Sequence, residues 1–398
     1  MNGSKLIYLL VAAAVIGGLA LLMKSRDEAS WQEATVQAGT KLLGDLAVND
    51  VASVRLLGAE GRVTAKRTDN TWVIEERGNY PADFARISAL VRKVAELEPV
   101  QSVPLGGEDA AALGLKVPTG GAPDAETGTL VELSDATGKK MAALVAGKTH
   151  STASPTAGPM GMAGGMVTGR YVLLADAPQT AYLVTETFSE LQTAPAQWID
   201  KNFVRPGPPQ CIAVQAEGKD RSWTIERDAP GAPWKLADAR KNESLDTTKV
   251  LNIDSLVTGL AVADVPDAPD DARLKPLQEK PVSVTVDSFE GLRYALKFGE
   301  GNGDNLPAEI SVEVTGDPAA PPAPAPVEGE KPEEAAAKAM EAATKARDEK
   351  VAQAAKLQSK QVFIPRKFLE PFLGTRSFLL AAPAPPAPTP APTPRKKR

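Results

Sequence analysis

The stretch VASVRLLGAEGRVTAKRTDNTWVIEE (51–76) decides the fold, because its pattern occurs twice. Its apolar residues alternate in three short runs, Val54/Leu56, Val63/Ala65 and Trp72/Ile74, the period-two signature of half-buried strands. The later stretch CIAVQAEGKDRSWTIERDAPGAPWKLAD (211–238) repeats them as Ile212/Val214, Trp223/Ile225 and Trp234/Leu236. The offset between the copies grows from 158 to 160 to 162, as it should if turns gain residues while strands keep register. Arg67 and Arg227 share the 160 offset.

Working outward, a helical pattern comes after each triplet. Phe84, Ile87, Val91, Val94 and Leu97 recur at three-to-four spacing, with Pro81 and Asp83 suited to the first turn. Val250, Ile253, Val257 and Leu260 do the same in the second copy. Strand-like exits come next, at 99–103 and 263–267. TLVELSDATGKKMAALV (129–145) then aligns with VSVTVDSFEGLRYALKF (282–298) and places Gly138 on Gly291. GRYVLLA (169–175) precedes AYLVTETFSELQ (181–192) as AEISVEV (308–314) precedes QVFIPRKFLEPF (361–372). The last alignment puts Phe188 on Phe368 and Trp198 on Phe378. Each unit therefore reads as three antiparallel strands, a helix, a meander of about four strands and a closing helix.

The ends and one insertion do not fit this pattern. Residues 6–23, LIYLLVAAAVIGGLALLM, carry no charge. At 1.5 Å per residue they span about 27 Å, close to a bilayer's ~30 Å apolar core. That is longer than the ~7–15 apolar residues of a cleaved secretory signal. Residues 316–360 interrupt one hairpin of the second unit with a Pro/Ala-rich piece and a run of strong helix formers at 332–358. Few large apolar residues lie there, so a solvated, projecting helix is expected. Residues 381–398, AAPAPPAPTPAPTPRKKR, read as an extended polyproline-like tail ending in Arg395, Lys396, Lys397 and Arg398.

The fold class is thus α+β: an N-terminal transmembrane helix followed by a tandem duplication of an antiparallel-sheet-plus-helices unit. The segments are a short cytoplasmic end (1–5), the anchor (6–23), the first unit (46–204), the second unit (205–380, with the insertion at 316–360) and the tail (381–398). Flanking charges are nearly balanced, so orientation rests on the tendency of long downstream domains to be translocated. The bulk of the chain is expected outside the cytoplasm, at a bacterial inner membrane.

Composition narrows the chemistry. One cysteine forbids an internal disulfide or a multi-thiolate metal site, and one histidine forbids a multi-histidine centre. A net charge of −5 gives no overall basic surface for nucleic acid. AALVAGKTH (142–150) ends like a phosphate-binding loop, but its opening glycine is replaced by Ala142 and no helix pattern succeeds it. His150 begins a Gly-rich loop that also holds Met160, Met162 and Met166; it reads as an exposed loop histidine, and the methionines as an adaptable apolar tip. Cys211 reads as a small core residue. Glu75 and Glu76 alternate across a strand and do not converge on one reacting bond. No catalytic residue, no cofactor and no metal site is assigned. The candidate partner-binding residues are the basic cluster Arg395–Arg398 and Trp198, placed near a helix start as a surface anchor.

LAVNDVASVRL (46–56), TWVIEERGNYPAD (71–83), LGLKVP (113–118), GRYV (169–172) and FSELQTAPAQWID (188–200) resemble the bacterial family designated domain of unknown function 4340, across most of 1–204. The resemblance implies a membrane-anchored extracytoplasmic protein that accompanies ABC-type transporters of the kind associated with gliding motility. With the anchor and the absent catalytic constellation, it gives the expected function: a non-enzymatic binding or scaffolding accessory to an ABC transporter or envelope complex. The alternative is an envelope hydrolase or a cell-wall polymer-binding protein whose basic tail engages an anionic polymer.

Overall fold

The computed structural model describes residues 39–382 apart from 120–123, 153–165, 203–204, 242, 269–270, 321–330 and 356–360. The anchor at 6–23 and the cluster Arg395–Arg398 lie outside the described residues. Among those described, no helix is long and apolar enough to cross a membrane. The architecture is mixed α+β with two antiparallel sheets, in two compact units, Met1–Ile199 and Asp200–Arg398.

The first unit's strands are β1 (Val51–Leu57), β2 (Arg62–Thr68), β3 (Thr71–Ile74), β4 (Tyr80–Pro81), β5 (Pro99–Pro104), β6 (Thr129–Asp135), β7 (Lys140–Thr152), β8 (Met166–Leu174) and β9 (Thr180–Val184). They form one sheet in the order β4-β3-β2-β1-β6-β7-β8-β9-β5. Register matches the alternation read in the sequence: Val54 faces Ala65 and Leu133, and Leu56 faces Val63 and Val131. All six are buried, because a period-two strand sends every second side chain to the same face. Leu130, Val145, Leu173 and Ala181 form a second buried cluster with Leu115, so apolar residues cover both faces of these central strands.

Helix α1 (Phe84–Ala95) begins at Asp83, whose carboxylate accepts the Arg86 N–H at 3.0 Å, satisfying one of the unpaired amides of the first turn. Ile87, Leu90, Val91 and Val94 form its buried stripe. Phe84, expected in that stripe, is 61% exposed. Pro81, expected in the first turn, is instead the second residue of β4.

The second unit's strands are β10 (Pro209–Gln215), β11 (Trp223–Glu226), β12 (Lys235–Leu236), β13 (Pro281–Ser288), β14 (Leu292–Gly299), β15 (Asn305–Val314) and β16 (Gln361–Pro365), ordered β12-β11-β10-β13-β14-β15-β16. That is the order β3-β2-β1-β6-β7-β8-β9 of the first unit. Details recur as well. β1 is bulged between Val51 and Ser53 against β6, and β10 between Pro209 and Cys211 against β13. Gly138 and Gly291 close the next hairpins with φ of +84° and +74°, where a Cβ would be strained. Helix α2 (Thr247–Thr258) starts at Asp246, which caps it as Asp83 caps α1. The Asp83 N–H donates to the Trp198 carbonyl, and the Asp246 N–H to the Leu379 carbonyl. The structural counterpart of Trp198 is therefore Leu379, one residue beyond the Phe378 that the 180 offset gives.

Several expectations are corrected. No helix closes the first unit; Pro195–Gln197 is a single 3₁₀ turn. The second closes with a four-residue helix, Arg366–Leu369, and two 3₁₀ turns. The exit at 263–267 forms only a bridge from Asp264 to Phe363. Glu75 and Glu76 sit in a 3₁₀ turn rather than a strand. His150 lies inside β7, with Nδ1 3.0 Å from the Thr168 hydroxyl on β8, because the hairpin extends further than its Gly-rich sequence suggests. Gly147 sits at a register shift within that strand, where a Cβ would meet the Leu113 carbonyl at 2.5 Å; it is a packing glycine. Met160 and Met162 lie outside the described residues. Cys211 is half-buried, and burial pushes its thiol pKa up.

Helix α3 (Pro332–Ala355), within the insertion, is docked rather than projecting. Ala335 and Ala354 are buried, Lys350 Nζ contacts both Glu290 carboxylate oxygens at 2.7 Å, and Arg347 donates to the Gly316 carbonyl at 2.8 Å. Small alanines let the helix approach without large apolar side chains, which a hydrophobicity pattern does not register.

Candidate functional site

The two sheets differ at one edge. In the first unit β4 closes the edge: Ile74 pairs with Tyr80 and Val73 with Pro81, and the Ala82 N–H donates to the Trp72 carbonyl at 2.8 Å. The Tyr80 side chain is fully buried there. In the second unit Lys235 and Leu236 occupy the places of Val73 and Ile74, and β12 is the edge strand. Counting back from the capping residues Asp83 and Asp246 puts Glu243 at the place of Tyr80 and Leu245 at that of Ala82.

Between those two segments lies an open groove of about 540 Å³. Trp234, Lys235 and Leu236 form one wall, Glu243 and Leu245 another, and Val250 and Leu251 of α2 line it as well. Leu251 is 53% exposed. The groove stands where a strand and a buried tyrosine close the first unit.

Local charges anchor each wall. Glu243 accepts the Arg240 N–H at 2.9 Å and an Arg376 N–H at 2.7 Å. These two bonds, the backbone one first, keep its carboxyl below the ordinary range. Arg376 has a side chain only 4% exposed and also binds Asp238. It thereby fixes both ends of the 238–243 segment to the closing turn of the unit. On the other wall, Trp234 carries the Arg227 guanidinium 4.5 Å above its ring. Arg227 is itself buried; it donates to the Pro209 carbonyl at 2.7 Å and binds Asp254 of α2 at 3.0 and 3.3 Å. The indole is thus fixed by a desolvated, fully paired cation. Lys235 pairs with Asp228, which raises its pKa.

A smaller polar pocket of about 390 Å³ lies beneath α3, lined by Asp200, Asn202, Arg205, Tyr294 and Lys350. Burial pushes the Tyr294 hydroxyl well above the ordinary tyrosine range. In the first unit, Lys93 bridges Glu186 and Glu190 at 3.2 and 2.6 Å. Burial, the largest influence, pushes the Glu190 carboxyl up, but the hydrogen bond and charge of Lys93 together with bonds from its own backbone and Ser189 bring it, on balance, below its ordinary 4.5.

Trp198 belongs to that cluster. It is 1% exposed, its indole N–H donates to the Gln192 carbonyl at 2.7 Å, and the Arg86 guanidinium lies 4.6 Å from its ring. A residue so enclosed offers no surface to a partner, so the expected anchor is a core residue. Among the described residues, no group of three or more His, Cys, Asp or Glu side chains could hold a metal ion.

The family described as "Domain of unknown function (DUF4340)" matches residues 72–281, just over half of the chain. The chain belongs to the DUF4340 family. The DUF4340 match begins at Trp72 and ends at Pro281, so it runs beyond the 1–204 over which the resemblance was read and takes in β10–β12 and α2. It therefore spans both the closed and the open edge. No curated protein and no solved structure matches the chain.

The sequence does not reveal the groove, because the pattern shared by the two units lapses between 238 and 250. One signal is present: Lys235 falls where the first unit has the buried Val73.

Proposed function

We propose that the chain is a single-span, membrane-tethered extracytoplasmic binding or scaffolding protein, accessory to an ABC-type transporter or another envelope complex. In this reading it is built by tandem duplication, and its second copy carries the binding edge. The observation that carries the proposal is the open groove between Lys235–Leu236 and Glu243–Leu245, a place shaped to receive an extended segment at a sheet edge. The shared strand order, the paired bulges and the paired left-handed glycines support duplication. The uncharged run at 6–23 supports the tether.

The test is affinity capture of the tagged chain from detergent-solubilised envelopes. Transporter subunits are expected to co-purify, and Leu251→Glu is expected to release them. Recovery of none, with binding to an anionic wall polymer lost on deleting 381–398, would replace this reading with the polymer-binding one. Protease added to spheroplasts is expected to digest both units; full protection would reverse the topology.

A further inference from the structure

We propose that the groove beside β12 is a polyproline seat and that its resident occupant is the chain's own C-terminal segment, residues 383–394. This rests on the reading of the groove as a seat for an extended segment and names the segment that fills it.

Three observations converge. First, the chain arrives there. The Ala381 N–H donates to the Ser244 carbonyl at 2.9 Å, and Leu380 bridges Leu245. Ser244 lies between Glu243 and Leu245, two residues of the groove wall. The chain beyond Ala382 therefore starts next to the wall that Glu243 and Leu245 form. Second, the sequence there is PAPPAPTPAPTPRKKR (383–398), with seven prolines. A polyproline helix has three residues per turn, so Pro383 and Pro386 share one face and Pro385 and Pro388 another. At about 3.1 Å per residue, this double Pro-x-x-Pro lies roughly 6–22 Å along the chain from Ala381.

Third, the groove suits proline better than a pairing strand. Grooves that take such segments are lined by aromatic and apolar side chains, and the preformed helix loses little entropy on docking. Here Trp234 is held in place by Arg227, and Leu236, Leu245, Val250 and Leu251 supply apolar surface. A strand added to β12 would need regular N–H donors, which prolines lack. The first unit has no such opening, since β4 and Tyr80 fill its equivalent.

The test uses the full chain in detergent with p-benzoylphenylalanine in place of Leu251. Irradiation is expected to give an adduct to residues 383–394 at monomer mass. Adducts only elsewhere, or only between two copies, overturn the proposal. In a second arm, a chain ending at Ala382 is titrated with a synthetic peptide of residues 381–398. Saturable binding is expected, weakened about tenfold or more by Leu251→Glu, as loss of one buried leucine predicts. Phe84→Glu, at an exposed site in the first unit, should leave it unchanged. Absence of binding, or equal loss in both variants, overturns the proposal. Failure of the functional reading is separable. Peptide binding without capture of transporter subunits removes the transporter role alone; capture that needs Leu251 but ignores the tail removes the tail alone.

Discussion

The two sheets share a strand order, yet one finishes its edge and the other leaves it open. In the first unit β4 pairs with β3 and Tyr80 is fully buried. In the second, Glu243 stands at that place and is turned toward Arg376 instead. The difference teaches how a sheet edge can be left open. Where the first unit has a buried aromatic the second has an acid bonded to Arg376, so the apolar contact that accompanies the β4 pairing is lacking and a groove lies beside β12.

The largest effect should come from undoing the closed edge. Tyr80→Ala is expected to destabilise the first unit by about 4 kcal/mol, the usual cost of removing a buried aromatic side chain. Denaturant titration monitored by a probe in that unit would measure it. A loss below about 1 kcal/mol would mean that Tyr80 does not hold the edge.

Next is the arginine pair. Arg227 is buried and relies on Asp254, whereas Arg67, at the matching offset, is exposed. Asp254→Ala should cost about 3 kcal/mol by leaving a buried cation without its counter-ion, whereas Arg67→Ala should change stability by less than about 0.5 kcal/mol. Equal effects would break the contrast.

The hairpin glycines give a smaller, graded test. Gly138→Ala should cost about 1 kcal/mol from backbone strain alone, since a Cβ there meets nothing within 4 Å. At Gly291 the added Cβ would lie 2.3 Å from the Gly316 carbonyl oxygen, so Gly291→Ala should cost more. Thermal melts of the two variants would rank them.

The smallest effect is on acid stability. Burial pushes the Glu190 carboxyl up, but Lys93 together with bonds from its own backbone and Ser189 holds it, on balance, below its ordinary 4.5. A depressed carboxylate pKa stabilises the fold above the ordinary value, and that stabilisation is lost as pH falls through the folded one. The first unit should therefore weaken as pH drops below about 4.5, and Glu190→Gln should flatten that slope. An unchanged slope would remove the assignment.

Much of the strand framework was legible in the sequence. The alternation at Val54/Leu56 and Val63/Ala65, and the glycines at 138 and 291, carry register and turns directly, since side-chain period and positive φ are local properties. The illegible parts depend on tertiary partners. The closing segments form only 3₁₀ turns and one four-residue helix, and only backbone bonds reveal that Trp198 corresponds to Leu379. Trp198 is enclosed by Gln192 and by Arg86, and Arg86 lies more than a hundred residues away in sequence. The docking of α3 rests on small alanines and one lysine, which hydrophobicity does not weigh. The groove was hidden because it is defined by a missing pairing.

The measurement that bears most directly on the open edge is residue-level amide hydrogen exchange, comparing 72–74 with 234–236. In a chain ending at Ala382, 72–74 should exchange slowly while 234–236 exchange fast. Adding the 381–398 peptide should slow 234–236 about tenfold or more and leave 72–74 unchanged. Equal protection of the two edges without the peptide would contradict the account.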